Sequence, residues 1–278
     1  MIRAILAAAL LAPTPALAVC GTDAGACTIE TGEYHVVLPR GWEGGRAVVF
    51  LHGFGGSGAR EAQNEWLVGG VTARGHAFVA PSGVPWREAE PNPPDWAVRD
   101  TWTYPRDDVA FIRAVIDDAA ERFAIRRGEV LLTGFSRGGS MTWDIACIAP
   151  DTAYAYAPAS GGFWRPHPED CAGPVRLLHG HGFADRTVPL EGRRILWEEL
   201  DVTQGDIHEG LQLWRRVNGC GSRAGEHAIS AETWTKVWTD CAEGAALALV
   251  LHPGGHGLPP GWMGTAIDWF EALLDGPT

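Results

Sequence analysis

Val130-Leu131-Leu132-Thr133-Gly134-Phe135-Ser136-Arg137-Gly138-Gly139 decides the fold. Its first four residues form an unbroken apolar and β-rich run, as expected of a strand buried on both faces. Directly after it, glycines stand two before and two after Ser136. Small residues in those places let a chain reverse sharply from strand into helix and lift the serine hydroxyl above the sheet. A helix is expected from about Met141 to Ile148, so its N-terminus would face the serine and favour negative charge there.

Outward from this turn the chain alternates strands and helices. Strands are expected at Tyr34 to Leu38, Ala47 to Leu51, Ala77 to Ala80, Tyr154 to Ala157, Val175 to Leu178 and Leu247 to Leu251. Helices are expected near Asp107 to Ala119, Gly192 to Leu200, Ile207 to Val217 and Met263 to Leu274. Such alternation implies an α/β fold with a mainly parallel central sheet and helices on both faces. Asp107-Asp108 reads as the cap and charged first turn of its helix. Residues 81 to 105 carry many prolines with Trp86, Trp96 and Trp102, and read as a long irregular loop.

The first residues, Met1-Ile2-Arg3, precede an apolar run from Ala4 to Leu11 and an Ala16-Leu17-Ala18 ending. A basic start, a short apolar core and small residues at a cleavage site make a signal peptide over residues 1–18. Residues 19–278 then form a single catalytic domain, secreted or periplasmic. No later stretch is long and apolar enough to span a bilayer, so membrane insertion is not expected. All six cysteines, Cys20, Cys27, Cys147, Cys171, Cys220 and Cys241, lie beyond residue 18. An even number in an exported chain implies disulfides, and proximity suggests pairing them in chain order, with other pairings left open. The net charge of −12 argues against a phosphate-tracking nucleic-acid binder.

A serine nucleophile needs a base held in one tautomer. His256 follows the last apolar strand within Gly254-Gly255-His256-Gly257, and the neighbouring His252 reads as structural. Asp185 follows the strand that leads through His179-Gly180-His181, and Arg186-Thr187-Val188-Pro189 turns the chain after it. The order Ser136, Asp185, His256 is the one in which a parallel sheet delivers a nucleophile, acid and base to one edge. His179 and His181 lack further partners for a metal and read as structural, so no metal site and no cofactor are expected. Oxyanion stabilisation asks for two aimed backbone N–H groups. The amides of Arg137 and of Phe54, within the glycine-rich His52-to-Gly58 loop, fill those places. The loop lacks the residues of a P-loop.

With these pieces assembled, the chain resembles the polyhydroxybutyrate depolymerase-like esterases, a group that includes feruloyl and acetylxylan esterases. The stretches carrying the resemblance are His52-Gly53-Phe54-Gly55-Gly56, Asp107-Asp108-Val109-Ala110-Phe111, Gly134 to Gly139, His181 to Asp185 with Val188-Pro189, and Gly255-His256-Gly257. The resemblance implies an α/β-hydrolase fold and a cofactor-independent carboxylic ester hydrolase. Its substrates would be hydroxyalkanoate esters or feruloyl or acetyl esters of plant polysaccharide, as small molecules, oligomers or polymer. It assigns the triad to Ser136, Asp185 and His256. Arg137 departs from the pattern, being larger and charged where a small polar residue is common. Among the thirteen tryptophans, Trp102, Trp96 and Trp164 fall in loops that could border the site, and Trp102 is the one taken as substrate-binding. Rival readings are a serine peptidase on the same fold and an inactive envelope binding protein. The oligomeric state is not legible.

Overall fold

The computed structural model describes residues 20, 25–86, 93–98, 103–197 and 200–276. In chain order the elements are β1 (Cys27–Ile29), β2 (Gly32–Val37), β3 (Gly45–Leu51), α1 (Gly58–Ala62), α2 (Glu65–Thr72), β4 (Ala77–Pro81), β5 (Val84–Pro85) and β6 (Pro94–Asp95). Then come α3 (Asp108–Phe123), β7 (Ile125–Phe135), α4 (Arg137–Ile148), β8 (Ala155–Ala159), β9 (Arg176–Gly182), β10 (Arg193–Trp197) and β11 (Leu200–Gln204). The chain closes with α5 (Ile207–Val217), β12 (Glu226–Ile229), β13 (Trp234–Trp238), β14 (Ala246–His252) and α6 (Trp262–Asp275).

The main sheet has ten strands in the order β1-β2-β4-β3-β7-β8-β9-β14-β13-β12. Its centre, from β4 to β14, is parallel, and antiparallel strands flank it on both sides. Alternate side chains of the central strands enter two separate cores. Ala47, Val49, Leu51, Val130 and Leu132 pack on one face with Phe111, Ile112, Val115, Trp143 and Trp214 of α3, α4 and α5. Val48, Phe50 and Leu131 pack on the other with Leu67 and Val71 of α2 and Trp262, Ile267 and Phe270 of α6. Burial on both faces explains why these strands read as unbroken apolar runs. Each such Val, Leu or Phe contributes about 1.5–3 kcal/mol, an upper estimate against an extended chain.

Three disulfides join Cys20–Cys27, Cys147–Cys171 and Cys220–Cys241, closing loops of 7, 24 and 21 residues. Asp107 caps α3, its carboxylate accepting the Ala110 amide at 3.0 Å. Asp108 does something else. It is buried, accepts Arg106 Nε at 2.6 Å and the Ala97 amide at 2.7 Å, and so moors the 93–98 segment.

The helix expected near Gly192 to Leu200 is not found among the described residues there, which are strand. Residues 193–197 and 200–204 pair as a two-stranded antiparallel ribbon, β10 with β11, in which Arg193 pairs with Gln204 and Ile195 with Val202. Apolar residues at 190, 195, 196 and 200 suit helical spacing, but Ile195 and Val202 turn toward a cleft while Leu196 points to solvent. Among the described residues no helix is long and apolar enough to cross a membrane. The expected signal segment and Trp102 lie outside the described residues.

Candidate active site

The C-terminal ends of the parallel strands carry the site, as open α/β sheets require. Ser136 joins β7 to α4 with φ 57° and ψ −116°, a strained conformation for a residue with a Cβ. The flanking glycines are there for lack of room. A Cβ on Gly138 would stand 2.0 Å from the Leu51 carbonyl oxygen, and one on Gly134 would stand 2.5 Å from the Gly138 oxygen. The turn is thus pressed against the end of β3, and its serine emerges at the first turn of α4. There the Arg137 amide is the first N–H of the helix.

His256 follows β14 and faces the serine, its Nε2 2.9 Å from Ser136 Oγ. Its Nδ1 is 2.8 Å from Asp185 Oδ2. The loops that carry the two residues are stitched together by backbone bonds from Phe183 N to His252 O at 2.7 Å and from Ala184 N to Gly254 O at 3.0 Å. Buried Ser160 donates to the Gly257 carbonyl at 2.7 Å and holds the histidine loop from the β8 side. Asp185 Oδ1 accepts the Thr187 amide at 2.8 Å and the Val188 amide at 2.9 Å. Burial alone would raise the pKa of this carboxyl. The bonds from His256, Val188 and Thr187 outweigh it and hold the group below the usual carboxylate range.

Behind Asp185 lies a row of buried rings. Trp143 Nε1 donates to His179 Nδ1 at 3.2 Å, His179 Nε2 meets His181 Nδ1 at 3.0 Å, and His181 Nε2 meets the Val188 carbonyl at 2.8 Å. An indole N–H can only donate and a carbonyl can only accept, which fixes both tautomers along the row. His181 Nε2–H therefore points at Val188 O and passes 3.6 Å from Asp185 Oδ2. Desolvation, first among the causes, pushes both imidazoles below the ordinary histidine range and keeps them neutral. Sequence reading gave these histidines structural roles. The structure places His181 against the acid, a contact that the bare spacing His181-to-Asp185 signals only in hindsight.

On the other side, the His52-to-Gly58 loop turns through a Gly56 N to Gly53 O bond of 2.9 Å. His52 is fully buried. Its Nε2 accepts the Gly83 amide at 2.8 Å, so its Nδ1 donates to Gly53 O at 2.7 Å. Burial pushes its pKa down to about 4. Phe54 is half-exposed at the loop tip and lines a cleft of ≈ 210 Å³ together with Ser136, Arg137 and Trp164. Ile195, Val202, Arg193 and Gln204 of the β10–β11 ribbon form the opposite wall, which sequence reading missed entirely. Trp164 borders the cleft as expected. Trp96 does not, since it is buried and its indole donates to the His52 carbonyl at 2.8 Å. His252 is buried and accepts the Gly254 amide at 3.2 Å.

Chemically, the arrangement offers a hydroxyl beside an imidazole acceptor, a carboxylate fixing that imidazole's tautomer, and a helix N-terminus directly after the hydroxyl. No family model matches the chain. Among curated proteins it is similar to feruloyl esterase C of Emericella nidulans, 28% identical over 214 residues that cover 69% of this chain and 73% of the relative. Among solved structures it matches an acetyl xylan esterase from Aspergillus awamori with a TM-score of 0.64 at 15% identity, covering 86% of this chain and 93% of that one. A carboxylesterase from Bacillus cereus matches with a TM-score of 0.56 at 13% identity, covering the same shares. Those structures share the fold, and the curated relatives share sequence across most of the chain. The chain is a carboxylic ester hydrolase of the α/β-hydrolase fold.

Proposed function

We propose that the enzyme cleaves carboxylic esters by two-step acyl transfer through Ser136, His256 and Asp185, with the amides of Phe54 and Arg137 as the oxyanion hole. The observation that carries this is the continuous relay from Ser136 Oγ to His256 Nε2 at 2.9 Å and from His256 Nδ1 to Asp185 Oδ2 at 2.8 Å, opening onto the cleft. His256 removes the serine proton as Oγ attacks the ester carbonyl. The carbonyl oxygen, now an alkoxide, takes hydrogen bonds from the two amides. Collapse of the tetrahedral intermediate breaks the bond to the alcohol oxygen, which receives the proton from His256. Water then attacks the acyl-enzyme by the same route in reverse, releasing the acid and restoring Ser136.

The cleft supports an acyl group of modest size against apolar walls. Phe54, Trp164, Val188, Ile195 and Val202 suit an aryl or short alkyl acyl chain, as in feruloyl and acetyl esters of plant polysaccharide. A single hydroxyalkanoate acyl unit is a short alkyl chain of comparable length, and its oligomers are the other candidate esters. Export through the segment at residues 1–18 accords with three disulfides, which persist only in an oxidising compartment. The test is hydrolysis of p-nitrophenyl esters, methyl ferulate, acetylated xylan and hydroxybutyrate oligomers. Ser136→Ala should lose at least about four orders of magnitude in turnover. Retention of near-normal turnover by that variant would end the proposed mechanism.

A further inference from the structure

Arg137 is the residue whose amide the mechanism uses and whose side chain it leaves idle. That side chain is buried among acceptors drawn from one short segment. Its Nε donates to Asp95 Oδ1 at 2.7 Å, its Nη2 donates to the Trp96 carbonyl at 3.0 Å, and the guanidinium lies 4.8 Å from the centre of the Trp164 ring. Nη2 also reaches the Tyr104 hydroxyl. Arg137 and Asp95 side chains are 8% and 1% exposed, so the pair is screened from solvent at the floor of the cleft.

The same segment grips the other half of the oxyanion site. Gly55 N donates to Pro94 O at 2.8 Å, directly beside Phe54. The Trp96 indole donates to His52 O at 2.8 Å, at the root of the same loop. Residues 94–96 are therefore a strap. One end of it holds the loop that presents the Phe54 amide. The other is held by the guanidinium of the residue that presents the second amide.

We infer that the buried Arg137–Asp95 ion pair is a positioning device that sets the spacing of the two oxyanion amides through residues 94–96. A buried ion pair is a poor source of stability, because desolvation consumes much of its Coulomb attraction. It is well suited to fixing geometry, since a guanidinium addresses several acceptors in one plane. Oxyanion donors act through preorganisation, and a misplacement of about 1 Å can cost about 100-fold in rate. Asp95 and the Arg137 side chain need not touch substrate for this. The inference rests on the reading of the Phe54 and Arg137 amides as the oxyanion hole.

The experiment compares wild type with Asp95→Ala, Asp95→Asn and Arg137→Lys. Each is assayed for kcat and KM on a p-nitrophenyl ester and for inhibition by an aryl trifluoromethyl ketone, whose serine adduct carries an oxyanion. Asp95→Ala and Arg137→Lys should lose roughly 10- to 100-fold in kcat with KM changed by less than about 3-fold, and ketone affinity should fall by the same factor as kcat. Asp95→Asn keeps the acceptor oxygen and should lose only about 3- to 10-fold in both. This variant carries the test if the others fail to fold. Folded variants with kcat and ketone affinity unchanged would overturn the inference. So would a loss confined to KM, which would make Asp95 a substrate contact. Labelling of wild type by a fluorophosphonate, abolished in Ser136→Ala, reports separately on the mechanism beneath it.

Discussion

Asp185→Asn is the substitution whose outcome the structure specifies most fully. The two side chains have nearly the same volume, so the variant should fold. Which way the new amide points is decided by the backbone. The Thr187 and Val188 amides both donate to Oδ1, at 2.8 and 2.9 Å, so the asparagine oxygen must occupy that site. Turning the NH₂ group toward them would forfeit two hydrogen bonds and leave two buried donors facing a third, at a cost of roughly 2–4 kcal/mol. The NH₂ group therefore faces His256 Nδ1, now 2.8 Å from a donor instead of an acceptor. It also faces His181 Nε2–H, so the misfit cannot be relieved on that side. His256 must respond by carrying its proton on Nε2, where it can no longer accept from Ser136. Restoring the active tautomer costs the flipped amide, and the imidazolium formed during attack loses a charged partner worth about 1.5–3 kcal/mol. Together these come to roughly 4–6 kcal/mol, a fall in kcat of about 10³- to 10⁴-fold with little change in KM. Steady-state hydrolysis of a p-nitrophenyl ester measures it, and proton NMR should lose the downfield Nδ1–H resonance. If kcat stays within tenfold of wild type while the variant is folded, the proposed role of Asp185 as orienting acid is refuted.

Acid should loosen the fold well before the carboxylates titrate. His52 is held neutral with its pKa near 4, against 6.5 unperturbed, so below 6.5 the unfolded chain takes up a proton that the folded chain refuses. Stability is thus full above about pH 6.5 and is lost on the way down to about pH 4, by roughly 3 kcal/mol from this group alone. Urea midpoints at pH 7.5 and 5 should differ less in His52→Gln than in wild type, and equal pH slopes would contradict this. At the elbow, Gly138→Ala drives a Cβ to 2.0 Å from the Leu51 carbonyl, a backbone clash with no flexible side chain to yield. A loss of about 3 kcal/mol or more is expected, seen as a lowered Tm or insoluble protein. An unchanged Tm would show that β3 and the elbow are not packed as described.

The sequence was informative where burial is symmetrical and where chain order carries chemistry. Ala47 to Leu51 and Val130 to Thr133 announce themselves because both faces of β3 and β7 are covered, leaving no polar alternation to confuse the reading. Ser136, Asp185 and His256, which meet within hydrogen-bond distance, each follow an apolar strand, and strand ends are where a parallel sheet presents side chains. The β10–β11 ribbon was misread for the opposite reason. It is short and packed on one side only, and its few apolar residues recur at spacings that a helix also satisfies. Strands β12 and β13 escaped because they sit at the sheet margin, with every residue of β12 exposed. Asp95 could not be found at all, since its partner lies 42 residues away in the chain and neither residue belongs to a local pattern.

The two buried polar networks flank the serine from opposite sides, and neither is where a designer of stability would put it. Trp143, His179 and His181 occupy space in the core that apolar residues could fill without desolvating three rings' worth of nitrogen. Arg137 and Asp95 bury full charges beside a cleft. Apolar replacements for such groups are often neutral or favourable for folding when both partners are exchanged together. What these networks supply is direction. The ring row ends on the Val188 carbonyl and the Asp185 carboxylate, holding the side chain that in turn meets His256 in the proposed relay. The ion pair ends on the strap that joins the Phe54 loop to Arg137, the two residues whose amides are proposed as oxyanion donors. Polar groups in both places constrain angles that hydrophobic packing leaves soft, because a hydrogen bond weakens steeply when bent and an apolar contact does not. Activity and stability should therefore separate when either network is exchanged whole for apolar side chains, with turnover falling while the melting temperature holds or rises.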